Sequence, residues 1–157
     1  MKPNHLIISA LTFTVFLFFS ACENDDDDNE IETEISENND DESHNHSQDC
    51  MNCHVNGGTG EGWFTVAGSV FKSDEKSPNS NGKIMLYSKA NESGNLIETI
   101  EVDALGNFYT TEDIGITMGL FPVFESKNGN KKLMHSAATY GSCNNCHGVS
   151  TAIIAAD

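Results

Sequence analysis

The chain has 157 residues, with eight lysines and no arginine against 24 acidic residues, a formal charge of −16. Phosphate recognition needs the opposite sign, so the balance argues against nucleic acid as a partner and does not favour anionic lipid. The charge is unevenly spread: 13 of the acids fall in residues 23–49, and residues 50–157 hold 11 acids against seven lysines.

Residues 1–21 have a short polar start with Lys2 and His5, then an apolar run from Leu6 to Phe19. That run has the length of a signal-peptide core and is too short to span a bilayer, so cleavage is expected. Phe19-Ser20-Ala21-Cys22 resembles a bacterial lipobox, which implies that Cys22 is lipidated and becomes the mature N-terminus. Phe19 departs from that pattern, which prefers leucine.

Residues 22–49 are expected to form a lipidated, acidic, disordered tether. Ile31 and Ile35 are its only sizeable apolar side chains, too few to offset the entropy of ordering the backbone. Such a segment spans ~30 Å, and more where like charges extend it. An acidic stretch directly after a lipid-bearing cysteine resembles the export signal of surface lipoproteins in some Gram-negative lineages; a solvated spacer is the alternative. The expected location is the outer membrane, facing the periplasm or the cell exterior, with the membrane engaged through the N-terminal lipid.

The tether leads into Cys50-Met51-Asn52-Cys53-His54, and the same pattern returns as Cys143-Asn144-Asn145-Cys146-His147. C-x-x-C-H is the sequence form of covalent haem attachment. Two thiols three positions apart can each form a thioether to one porphyrin edge, and the adjacent imidazole points at the iron. Five cysteines would leave one thiol over in an exported protein, but here they resolve as Cys22 plus two pairs. The expectation is two haem c groups, held by Cys50, Cys53 and His54 in segment 50–62 and by Cys143, Cys146 and His147 in segment 136–157.

Gly57-Gly58-Thr59-Gly60-Glu61-Gly62 is expected to turn the chain away from the first motif. It is no phosphate loop, because no strand precedes it and no G-K-[ST] follows. Strand signals then follow at short spacing: Trp63 to Phe71, with Gly68 as a bulge or close approach; Lys83 to Lys89, with Ile84 and Leu86 on one face; and Leu96 to Val102. Asp103-Ala104-Leu105-Gly106-Asn107 is expected as a hairpin connection to a strand over Phe108 to Thr111. Leu120 to Ser126 is expected as an edge strand because of Pro122, followed by an Asn128-Gly129 hairpin and a sixth strand from Leu133. Short strands with turns every eight to twelve residues predict a mainly β protein, a small antiparallel β-sandwich over 63–135.

The series Val66-Ala67-Gly68-Ser69-Val70, Gly82-Lys83-Ile84-Met85-Leu86 and Asp103 through Gly106-Asn107-Phe108-Tyr109 resembles the carboxypeptidase regulatory-like, transthyretin-type Greek-key sandwich. The resemblance implies a stalk, spacer or interaction module with no chemistry of its own. Met134, a small-residue run, Gly141 and then Cys143-Asn144-Asn145-Cys146-His147 look like the C-terminal site of bacterial extracytoplasmic cytochromes that place a sandwich between haem motifs. That likeness implies Met134 as a sixth iron ligand, with its neighbour His135 as the alternative. On an extended chain the two point to opposite faces, so only one serves a given haem. His44 and His46, at the end of the tether, are further candidates or else solvated.

No Ser/His/Asp set or carboxylate pair stands out as catalytic, so the expected role is an electron carrier, not an enzyme, working with redox partner proteins such as other cytochromes. Two alternatives remain. One is a haem-bearing sandwich serving as a binding, adhesion or complex subunit; the other is a Cys₄ zinc module. Zinc is weakened by the 89 residues between Cys53 and Cys143 and by two unexplained histidines.

Overall fold

In the computed structural model, Ile84 sits between Ile100 on one neighbouring strand and Phe124 on the other, and that cross-strand row is the centre of the core. The structure describes residues 43–157. The expected signal peptide, Cys22 and most of the tether lie outside the described residues.

Six strands form: β1 (Val66–Ser69), β2 (Lys83–Tyr87), β3 (Leu96–Glu101), β4 (Asn107–Thr110), β5 (Phe121–Glu125) and β6 (Lys131–Leu133). They make two antiparallel sheets, β1-β4 and β3-β2-β5-β6, a small β-sandwich as the alternation predicts. Helix among the described residues is confined to single 3₁₀ turns at Cys50–Asn52, Ile116–Met118 and Cys143–Asn145. None of it is long and apolar enough to cross a membrane.

The reason for the sandwich lies in the side-chain period of two. Ile84 and Leu86 of β2 point to the face that meets Val66 and Phe108 of the smaller sheet, and all four are nearly inaccessible to water. Each such burial contributes about 1.5–3 kcal/mol before entropy is counted. On the outer part of the larger sheet, Lys83 pairs with Glu125 at 3.0 Å, and Lys131 reaches Glu125 at 3.3 Å.

Four expectations need correction, and the first is that the sixth strand, expected from Leu133 onward, runs over Lys131–Leu133 and ends there. Pro122 predicts an edge position for Leu120 to Ser126, yet β5 is interior, with β2 on one side and β6 on the other. Pro122 is tolerated because its backbone N and O face the β6 side just beyond the last paired residue, where only its carbonyl is used, accepting from Met134 N–H at 3.0 Å.

The Asp103–Asn107 turn, expected to join hairpin neighbours, instead carries the chain from one sheet to the other. Asp103 Oδ1 accepts from Leu105 N–H at 2.9 Å and Asn107 N–H at 2.8 Å, and Gly106 takes a φ of +79°. The turn chemistry was therefore legible and its destination was not.

The first strand is also shorter than Trp63 to Phe71. Phe64 N–H bonds back to His54 O at 3.0 Å, and Phe71 N–H turns to Ile154 O at 2.8 Å, so both ends leave the β1-β4 ladder. The C-terminal segment thereby lines the free side of β1: Ala67 bridges Ser142 and Phe71 bridges Ala155, both in parallel. An otherwise unpaired edge is covered, and the second C-x-x-C-H is held against β1 from both flanks.

Candidate functional site

The two C-x-x-C-H segments fold into the same local structure. Each opens with a 3₁₀ turn over its first three residues. The residue before the turn is extended, Asp49 with φ −77° and ψ 101° and Ser142 with φ −79° and ψ 92°. The second cysteine closes it, Cys53 with φ −111° and Cys146 with φ −110°. Cys50 O accepts from Cys53 N–H at 3.1 Å and His54 N–H at 3.0 Å; Cys143 O accepts from Cys146 N–H at 3.2 Å and His147 N–H at 2.9 Å. In a 3₁₀ turn, side chains three apart eclipse one another, so the two thiols of each motif lie on one side.

The histidines are oriented alike by backbone carbonyls. His54 Nδ1 lies 2.9 Å from Glu61 O, and His147 Nδ1 lies 2.6 Å from Ala152 O. A carbonyl only accepts, so in each ring Nδ1 carries the proton and the Nε2 lone pair is left for a metal. Such a hydrogen bond also raises the basicity of the ligating nitrogen.

The glycine-rich stretch has a function that its composition does not reveal. It wraps the first histidine: Gly60 N–H bonds Cys53 O at 3.0 Å, and a Cβ on Gly60 would stand 2.8 Å from the His54 ring. Phe64, expected only as an apolar strand marker, stacks on His54 with ring centres 4.3 Å apart and planes at 10°. Phe64 in turn stacks on Tyr109 of β4 at 4.4 Å. The imidazole is thus fixed to the smaller sheet through two aromatic contacts, each worth about 0.5–1.5 kcal/mol beyond area burial.

The 89-residue separation in sequence disappears in the fold. Ser142 Oγ–H donates to Asp49 Oδ1, and Asn144 Nδ2–H reaches Ser47 O at 3.5 Å. Cys143 packs against the hydrophobic core directly behind Gly68, where an added Cβ would meet Cys143 Cβ at 2.8 Å and the Phe108 ring at 2.7 Å. Gly68 is therefore the close approach expected from its place in β1.

Burial pushes the Cys143 thiol up to about 12, helped by the neighbouring Cys50 and Cys146 thiols and by Asp49. Cys50 is likewise raised, first by burial and then by Asp49 and Asp103, although its own backbone hydrogen bond opposes this. Cys53 and Cys146 are exposed. Each motif thus offers one inner and one outer thiol. Among the described residues, no three His, Cys, Asp or Glu side chains converge as a metal cluster.

The remaining candidate ligands are spread over the fold. Met134 closes the β5-β6 ladder and His135 is exposed in the bend that follows, both on the larger sheet, whereas the two motifs pack on β1 of the smaller one. His46 donates from Nε2 to Val70 O at 3.2 Å and sets its ring edge-on to Phe71 at 4.5 Å. The exposed His44 lies near His54, with ring centres 5.8 Å apart and planes tilted by 41°. The end of the expected tether is therefore ordered against the sheet from Ser43 onward.

A cleft of about 200 Å³, lined in part by Met51, Thr65, Ile114, Ile116 and Tyr140, opens beside the first motif. Exposed apolar side chains flank both turns, with Trp63 beyond the first and Tyr140 and Val149 on either side of the second. The carbonyls of Glu61 and Ala152, by contrast, carry no sequence signal, because any residue supplies one.

Comparison of the chain with protein-family models, with curated proteins and with solved structures finds no match.

Proposed function

We propose that this chain is an extracytoplasmic electron carrier holding two covalent c-type haems, one on each C-x-x-C-H turn. The observation that carries the proposal is the duplication. Two segments far apart in sequence adopt one backbone geometry, with paired thiols on one side and a histidine whose Nδ1 is held by a carbonyl.

The residues fit the group. Cys50 and Cys53 would hold one porphyrin edge and Cys143 and Cys146 the other haem's, with Nε2 of His54 and of His147 on the two irons. When bound, each haem supplies reversible one-electron exchange at its iron. The chain's own residues set the terms: Glu61 O and Ala152 O fix the imidazole tautomers, Phe64 fixes the plane of His54, and the apolar side chains flanking the turns offer cover to a haem face.

The Asp49–Ser142 bond also favours exchange between the two centres, because it holds the motifs side by side on one flank of the sandwich. The sandwich is then a spacer that returns the chain to its starting edge. Lipidation at Cys22 would tether this unit to the outer membrane, with redox proteins such as other cytochromes as donor and acceptor.

The test is the intact mass and the reduced-minus-oxidised absorption spectrum of the chain made in a host with haem-maturation machinery. Two haem additions and a c-type spectrum are expected. A colourless protein at the polypeptide mass overturns the proposal.

A further inference from the structure

We infer that His44 is the sixth iron ligand of the haem carried by Cys50–His54, an assignment that rests on the haem reading above. The His44 and His54 ring centres are 5.8 Å apart, with planes at 41°. Two imidazoles on opposite sides of one metal ion, each bonded at about 2 Å through a nitrogen about 1 Å from the ring centre, have centres roughly 6 Å apart. His54 Nδ1 is committed to Glu61 O, so Nε2 is the nitrogen it offers. His44 is exposed, so its ring can turn without disturbing the core.

The backbone beneath His44 is held in place. Asn107 Nδ2–H donates to Ser43 Oγ at 3.0 Å and to His44 O at 3.3 Å, and Ser47 N–H bonds Ser69 Oγ at 2.9 Å. Ser69 Oγ–H itself bonds Asn107 Oδ1 at 2.7 Å inside the sheet, so one buried polar pair anchors both ends of the turn. Within it, Asn45 and Ser47 adopt φ of 53° and 73°. Non-glycine residues in that region persist where the surroundings over-determine them, and such positions cluster at binding sites. An acidic spacer alone would not require the anchor.

The other candidates are placed differently. His46 Nε2 is bonded to Val70 O. Met134 and His135 follow β6 at the edge of the larger sheet, and the first motif packs on β1 of the smaller one. Bis-imidazole ligation gives this haem a lower potential than a His/Met pair would.

Intact mass comes first: a chain lacking two haem additions overturns the haem reading and this assignment together. In a chain that carries both, His44→Ala is expected to convert one haem from low-spin to high-spin and to add about one equivalent of carbon monoxide uptake by the reduced protein. His46→Ala and Met134→Ala are expected to leave that haem unchanged. Unchanged spin state and carbon monoxide uptake in His44→Ala overturn the assignment while leaving the two-haem reading intact. Near-infrared magnetic circular dichroism of the unaltered holoprotein reads the same point without a substitution. A bis-imidazole signature from at least one haem is expected, and a spectrum holding only His/Met or five-coordinate signatures overturns the proposal.

Discussion

Ser142 donates its hydroxyl hydrogen to the carboxylate of Asp49, so the residue immediately before the second C-x-x-C-H is bonded to the residue immediately before the first. The same Asp49 carboxylate accepts from Met51 N–H at 3.1 Å and so caps the first turn. One carboxylate therefore both shapes one motif and docks the other.

Removing this link has a defined cost. Hydrogen bonds to charged groups contribute about 1.5–3 kcal/mol, so Ser142→Ala is expected to lower the unfolding free energy by roughly that amount. Asp49→Ala should cost more, because it also removes the cap. The double variant should lose less than the sum, as residues sharing one bond are not additive. Urea unfolding of the four forms measures it, and strict additivity would show that the bond contributes nothing.

Gly68→Ala is expected to damage the second motif selectively. The added methyl would meet both Cys143 Cβ and the Phe108 ring at under 3 Å. Overpacking of this kind costs about 1–3 kcal/mol. Proteolysis followed by mass spectrometry should find haem on the Cys50–Cys53 peptide at the normal level and reduced haem on the Cys143–Cys146 peptide.

Gly60→Ala addresses the first motif. A Cβ there would displace the His54 ring and break its bond to Glu61 O. Under the proposed haem ligation, loss of that bond lowers the basicity of Nε2 and favours reduced iron, so the potential of one haem should rise while the other stays fixed. Spectroelectrochemical titration reads both values, and equal shifts in the two haems would contradict the selective role.

Leu86→Ala is the control away from both motifs. Leu86 is fully buried in the interior strand of the larger sheet, and its truncation should cost about 2–5 kcal/mol. Under the two-haem proposal, haem content should stay at two per chain while the melting temperature falls.

The Cys143 thiol gives a pH signature in the haem-free chain. Its value rises from 9.0 to about 12 on folding, so the folded form keeps a proton that the unfolded form releases. Its contribution is fully present below pH 9.0 and is lost as pH rises toward 12. Denaturant titrations of the haem-free chain should fall steeply across that window. In the haem-loaded chain the sulfur is a thioether with no proton to lose, so this part of the pH dependence should disappear. Alkylation at mild alkaline pH should mark exposed Cys53 and Cys146 before Cys143.

The features that the sequence determined by itself are those that depend on neighbours along the chain. A spacing of three brings two thiols to one side of a tight turn, alternation in β2 sends Ile84 and Leu86 inward, and Asn128-Gly129 closes the β5-β6 hairpin. Gly68 also stood out as a place where something must come close. Only the tertiary structure decided which strands are neighbours. Pro122 suggested an edge, but it sits in an interior strand where its carbonyl bonds Met134 N–H just beyond β6, and the turn at Asp103 joins two sheets instead of one hairpin. The site divides in the same way. Both C-x-x-C-H motifs were legible, whereas the carbonyls of Glu61 and Ala152, the stacking of Phe64 and the approach of His44 to His54 were not. A backbone acceptor has no residue signature, and contacts between distant segments arise only when burial of the shared core brings the two C-x-x-C-H segments together on β1.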